Sequence, residues 1–237
     1  MAKIKFDSQS SEGRKAIIVS FDMEGFSSFC NHADAHIEIP RFVSQLFEQL
    51  NTFFLHPIDE LLVPGRSGDG QLEEPCFIKY TGDGAIMVWL SNNRGEFTEQ
   101  FCTDIVIAMR ALQVRFATLV PEWERKWRTR GLPKRARFGI SMGLIYGLLN
   151  SYTIIKGDPV DYVGYCINLA VRLQDHCREL GFLIHETLHP KMPGLVRLCT
   201  KDMKGAQAEN VLAFEIDVKH VPDSVLKRKF IVPEPTR

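Results

Sequence analysis

Two aspartates stand where β-rich runs give way to glycine turns: Asp22 in FDMEGFSSF and Asp83 in IKYTGDGAIMVW. A strand-end carboxylate beside a helix N-terminus can hold a divalent ion, while free backbone N–H groups receive the phosphates such an ion brings. Two of them on neighbouring strands make the two-metal platform of phosphoryl transfer. Further polar residues could complete such a site. In DYVGYCINLAVRL, Asn168 and Arg172 lie i,i+4 on one helix face, with Asp161 just ahead of the helix. Arg137 in ARFGISMG and Lys204 in DMKGAQ are cations suited to phosphate oxygens. Lys79 and Asp83, four residues apart, are separated by about 13 Å along an extended strand, so they cannot pair and each needs a partner elsewhere. Taken singly, each residue also has an ordinary structural reading, as a solvated turn, a helix-surface pair or a surface charge.

These residues need elements to hold them. KAIIVSFD, Lys15 to Asp22, reads as a buried strand ended by Asp-Met-Glu-Gly. PRFVSQLFEQLNTFFL, from Pro40 to about Leu55, has helical spacing of Phe42, Val43, Leu46, Phe47, Leu50, Phe53 and Phe54, with Pro40 suited to its first turn. VPGRSGDGQLEEP, within residues 57–75, reads as an exposed loop; its GRSGDG lacks the GK[ST] and the following helix of a phosphate loop. IKYTGDGAIMVW predicts a hairpin with Asp83 at its tip. A long amphipathic helix follows from about Phe97 to Arg128, with a bend expected near Pro121. ARFGISMG and LIYGLLN read as a second hairpin. Gly164 to Cys177 has helical period, GFLIHETL reads as a strand and turn, and LVRLC and VLAFEIDV as closing strands. Strands interleaved with helices predict an α+β fold with one mixed or antiparallel sheet and helices mainly on one face.

The 237 residues, 45% hydrophobic and 24% charged, are enough for one substantial core. Twenty-nine basic residues balance twenty-nine acidic ones, a balance that carries no nucleic-acid footprint. Cys30, Cys76, Cys102, Cys166, Cys177 and Cys199 show no CxxC spacing and read as reduced thiols of a cytoplasmic protein. No run reaches the ~20 apolar residues of a membrane span. His32 and His36 are spaced i,i+4 but lack an HExxH context and read as surface residues of an N-terminal helix.

Read in order, the five stretches resemble the class III nucleotidyl cyclase catalytic domain shared by adenylate and guanylate cyclases. FDMEGF resembles the family's first metal motif, KYTGDG its base-reading and second metal motif, and RFGISMG its triphosphate-binding strand. DYVGYCINLAVR resembles its transition-state helix and DMKG its last phosphate-binding lysine. The resemblance runs from about Lys15 to Val218. It implies a ferredoxin-like, palm-type sheet for a domain over residues 15–220, flanked by a polar leader (1–14) and a C-terminal tail (221–237).

It further implies that Asp22 and Asp83, with the Met23 carbonyl, hold two Mg²⁺ or Mn²⁺ ions. One would ease deprotonation of the ribose 3′-OH and the other would neutralise the triphosphate. Arg172 would stabilise charge at the α-phosphate and Asn168 would orient the ribose. Arg137 and Lys204 would clamp the outer phosphates, which the N–H groups around Glu24, Gly25 and Phe26 would cradle. Lys79 and Asp161 would read the base. A head-to-tail homodimer would build each of two sites from both chains, metal ligands from one facing Lys79, Asp161, Asn168 and Arg172 from the other.

Lys79 as donor and Asp161 as acceptor match adenine, and cytosine presents the same order; uracil can be held by a shift of one position, whereas guanine reverses the pattern. A second resemblance, carried by the compact chain, the long loop before the hairpin and TGDGAIMVW, is to the bacterial pyrimidine cyclases of Pycsar antiphage systems. It implies cyclic UMP or cyclic CMP as product and a separate effector protein that senses it. Phe53, Phe54 and Tyr162 are candidate walls of a base pocket. The alternatives are an adenylate cyclase and, in another class, a catalytically silent nucleotide-binding or dimerisation module.

Overall fold

In the computed structural model the described residues are 6–7, 12–32, 34–55, 73–91, 95–150, 161–177, 181–188, 198–204 and 210–216. They form, in chain order, β1 (Phe6–Asp7), β2 (Arg14–Glu24), α1 (Phe26–Cys30), α2 (Ala35–Leu55), β3 (Phe77–Tyr80) and β4 (Gly84–Leu90). There follow α3 (Glu99–Trp127), β5 (Arg135–Asn150), β6 (Asp161–Val163), α4 (Tyr165–His176), β7 (Phe182–His185), β8 (Leu198–Lys204) and β9 (Asn210–Ile216). The strands run β3-β4-β2-β5-β7-β9-β8 across one sheet, with β1 and β6 both on β5. The β5–β7 pairing is parallel and the other pairings are antiparallel. This is the expected α+β class.

β2 is the axis, and its apolar run serves two cores because successive side chains alternate across a strand. Ile17, Val19, Phe21 and Met23 join the large cluster built with Phe42, Leu46 and Leu50 of α2 and Cys102, Ile105, Met109, Phe116 and Trp123 of α3. Ala16 and Ile18 face the other way, onto Cys166 and Ala170 of α4. The two long helices thus share one face and α4 lies on the opposite one. α3 starts at Thr98, whose hydroxyl accepts from the Phe101 N–H at 3.1 Å, and ends at Arg128 in the left-handed region at φ 56°.

Three expectations need correction. α2 begins at Ala35, not Pro40, which sits inside it. Pro40 and His36, one turn earlier, are both exposed, so the carbonyl that proline leaves without a donor can face solvent. His32 lies in the turn before α2 and not on the same helix as His36; its ring meets Phe29 at 6.4 Å between centroids. ARFGISMG and LIYGLLN are not a hairpin but one continuous strand of 16 residues. The glycines that suggested a turn are instead points of close approach. A Cβ on Gly139 would collide with the Ala170 carbonyl oxygen, and one on Gly143 would come within 2.9 Å of the Cys166 Cβ. They let α4 lie directly on β5. Phe6–Asp7, within the stretch read as a leader, pairs with the far end of that strand, Phe6 opposite Asn150. The 57–75 loop up to residue 72 and the 221–237 tail lie outside the described residues.

Candidate active site

Gly84 brings the first two carboxylates together. A side chain there would collide with the Phe21 carbonyl oxygen, so glycine lets the β3–β4 tip close against β2. Asp22 stands opposite Gly84 in the register, and the Met23 N–H donates to the Asp83 carbonyl at 3.1 Å. The Asp22 and Asp83 side chains then share a hydrogen bond. Asp22 is pushed up to about 6, chiefly by burial, then by the charge of Asp83 and that hydrogen bond, against the pull of Arg137. Arg137 offsets only part of the effect of burial and of Asp83, so Asp22 stays raised.

On the other side of Asp22, β5 supplies cations. Arg137 is opposite Asp22 and Arg135 is opposite Glu24, so by alternation both guanidiniums share a face with the carboxylates. Arg137 grips Glu24 with two donors, Nη2 to Oε1 at 2.9 Å and Nε to Oε2 at 3.2 Å. Arg135 Nη1 lies 3.7 Å from the same Oε2. The hydrogen bond that Arg137 donates to Glu24 raises the pKa of Arg137, against desolvation. The β5 end is held by buried Gln113 of α3, whose Nε2 donates to the carbonyls of Ala136 at 2.9 Å and Gly181 at 2.7 Å. Gly25, left-handed at φ 91°, turns the chain into α1 immediately after Glu24.

A second constellation lies toward the sheet edge. Lys79 of β3 and Asp161 of β6, 82 positions apart, are joined by a direct hydrogen bond from the lysine ammonium to Oδ2. Asp161 Oδ1 accepts from the Tyr162 N–H at 2.9 Å. Tyr162 meets Phe77 edge-on at 5.2 Å, which fastens β6 over β3. Both polar heads remain accessible to solvent. The partner that Lys79 lacked along its own strand is therefore Asp161.

Asn168 and Arg172 are exposed on the outer side of α4, one turn apart, with Tyr165 on the same side. Lys204 ends β8 opposite Asn210, and its side chain, like those of Phe53 and Phe54, lies outside the described residues. The structure thus brings together Asp22 with Asp83, Arg137 with Glu24, and Lys79 with Asp161. It does not bring Asn168 and Arg172 of the same chain onto either group by any described contact. Arg135 and the Glu24 carboxylate went unread in the sequence. The signal was there: Arg135 is two residues before Arg137, hence on its face.

The residues present suit a hard divalent cation. The described residues contain no group of three or more His, Cys, Asp or Glu side chains, so Asp22 and Asp83 would supply only part of a coordination shell. Mg²⁺ characteristically takes one or two carboxylates and fills the rest with water and substrate phosphate. Five cysteines among the described residues are free thiols, and no described helix is long and apolar enough to cross a membrane.

No protein-family model matches the chain, and no curated protein matches it. Solved structures do. The guanylyl cyclase Cya2 superposes with a TM-score of 0.65 at 16% identity, over 88% of this chain and 94% of that one. The adenylyl cyclase CyaB from P. aeruginosa gives 0.59 at 13% identity, over 87% and 95%. The guanylate cyclase domain of RhGC from Catenaria anguillulae, in complex with GTP, gives 0.55 at 10% identity, over 87% and 98%. The chain has the fold of the class III nucleotidyl cyclase catalytic domain.

Proposed function

We propose that the chain is a nucleotidyl cyclase that converts a nucleoside triphosphate into its 3′,5′-cyclic monophosphate and pyrophosphate. The observation that carries the reading is the Asp22–Asp83 pair on this fold, two carboxylates closed on each other at adjacent strand ends with a guanidinium alongside. Asp22, Asp83 and the Met23 carbonyl would hold two Mg²⁺ or Mn²⁺ ions. When bound, these supply charge neutralisation of the triphosphate and acidify the 3′-OH.

The chain's own residues do the positioning. Arg137, with Lys204 and the N–H groups of Glu24 to Phe26, holds the outer phosphates. Asn168 orients the ribose and Arg172 meets the charge that grows on the α-phosphate. The 3′-oxygen forms its bond to the α-phosphorus as the bond to the bridging oxygen breaks, and pyrophosphate leaves. Lys79 and Asp161 release each other to donate to and accept from the base edge. Each site would be shared in a head-to-tail homodimer, a reading supported by the solvent exposure of Asn168 and Arg172 on α4.

The preferred substrates are UTP or CTP, the product being a second messenger for a separate effector in antiphage defence. This finer reading is supported by the Pycsar-like features of the sequence and by a donor–acceptor pair that suits cytosine directly and uracil with a shift. ATP is the second reading, favoured by the same pair, since adenine presents the same order. The deciding experiment incubates the purified chain with each of the four ribonucleoside triphosphates and Mn²⁺ and identifies the product by mass. A cyclic pyrimidine nucleotide supports the first reading and cyclic AMP the second. No cyclic product with any of the four leaves the silent nucleotide-binding module.

A further inference from the structure

We propose that Arg135 is a second polyphosphate-binding guanidinium beside Arg137, and that the Glu24 carboxylate is their resident counter-ion, displaced when a triphosphate binds. The inference rests on the nucleotide-binding reading above and adds to it a residue and a competition. Arg135 and Arg137 alternate onto the face that carries Asp22, and their guanidiniums converge on one carboxylate, at 3.7 Å and 2.9 Å from its oxygens. Two planar forks aimed at a single oxyanion are the arrangement that binds phosphate oxygens. Glu24 neutralises only one of the two charges, which leaves the cluster net positive beside the carboxylate pair.

Arg135 is also constrained toward that anion. A Cβ on Gly181, itself at φ 73°, would lie 3.3 Å from the Arg135 Nε, so the side chain rests against this glycine instead of being loose in solvent. The Gln113 hydrogen bonds hold the carbonyls of Ala136, next to Arg135 in β5, and of Gly181, the glycine that the Arg135 side chain meets. Glu24 is replaceable. Its side chain is 40% exposed, and an ion pair that wet contributes little net stability. A carboxylate that occupies the forks most of the time still reduces apparent anion affinity by the fraction of time they are free.

The test titrates the full-length chain with inorganic tripolyphosphate in the presence of Mg²⁺, by calorimetry. Glu24→Gln is expected to tighten binding about 5- to 10-fold. Arg135→Ala is expected to weaken it about tenfold, with partial rescue by Arg135→Lys, which keeps the charge but loses the fork. Unchanged or weaker binding by Glu24→Gln, wild-type binding by Arg135→Ala, or no binding by any form overturns the proposal. Should a variant fail to fold, the wild-type chain answers alone. Tripolyphosphate should shift the side-chain Nε resonances of both Arg135 and Arg137, and a shift at Arg137 only overturns the assignment. Tripolyphosphate has no base, sugar or 3′-OH. The expected affinity order in a chain that makes no cyclic nucleotide would keep this proposal and sink the cyclase, whereas turnover with that order absent would do the reverse.

Discussion

Asp22 is the carboxyl whose electrostatics bear most directly on the candidate site. Its carboxyl is raised from 3.8 to about 6 in the folded chain, so folding favours its protonated form. The stability that this contributes is present below about pH 4 and is lost as pH rises through 6, because over that range the unfolded chain has released a proton that the folded chain still holds. Above pH 6 Asp22 of the metal-free chain is ionised where it faces Asp83. Mn²⁺ should therefore raise the melting temperature more at pH 7.5 than at pH 5. In Asp83→Asn the metal-dependent rise should vanish, the metal-free chain should melt no lower than wild type at pH 7.5, and turnover should be lost. A scanning-fluorimetry series with and without Mn²⁺ reads all but the last; equal metal-induced shifts at both pH values would remove Asp22 from the metal site. Asp161 makes the opposite case. Its ion pair with Lys79 is solvent-accessible, so Asp161→Asn should cost less than about 1 kcal/mol in urea unfolding. It should nevertheless raise KM for the preferred nucleotide severalfold, since the base loses an anionic acceptor. A large stability loss with unchanged KM would make the pair merely structural. At this scale much was legible in single residues: strand-end aspartates and paired polar heads on a helix are local patterns. For Arg135 the spacing showed only a second cation on the face of Arg137; its partner depends on which strand lies beside it.

At the scale of elements, the strand–helix contact of β5 and α4 is an exacting join. Gly139 and Gly143 sit four residues apart on one face of β5, and α4 presses on both. Gly139→Ala should cost about 3 kcal/mol or more, because the collision is with the helix backbone at Ala170, which cannot rotate away. Gly143→Ala should cost less, about 1–3 kcal/mol, since its nearest neighbour is the Cys166 side chain. Chemical denaturation of the two variants checks the order, and a reversed order would contradict the packing of α4. The same glycines explain why this region was misread. One sequence cannot distinguish a glycine that turns the chain from one that makes room for another element, and a 16-residue strand exceeds what strand statistics suggest. Pro40 misled in the same way, its local preference for a first turn being overridden by a helix whose Phe42, Leu46 and Leu50 are anchored in the core. By contrast, the β3–β4 hairpin and α3 were legible, because period and turn or cap residues agree there.

Among the described residues, several large apolar side chains are exposed together. Tyr146 stands opposite Val163 in the β5–β6 register, and Leu144 is two residues back on the same side. Leu144 is 57% exposed and Val163 45%, and Tyr165 on α4, beside Asn168 and Arg172, is also exposed. Exposed apolar residues grouped around functional positions are what an interface between copies needs. Leu144→Asp should therefore convert a dimer to a folded monomer by light scattering, with unchanged far-UV circular dichroism and no turnover. The proposed sharing of sites has a sharper consequence. Asp22→Ala and Arg172→Ala chains are each expected to be inactive alone. In a heterodimer of the two, one site carries both lesions and the other carries neither. After an equal mixture has exchanged subunits, half the dimers should be of this kind with one intact site each, restoring about a quarter of wild-type activity. Mass-tagged chains can verify the exchange. Verified exchange with no recovered activity would place Asp22 and Arg172 in the same chain's site, and the outer side of α4 would then need another role.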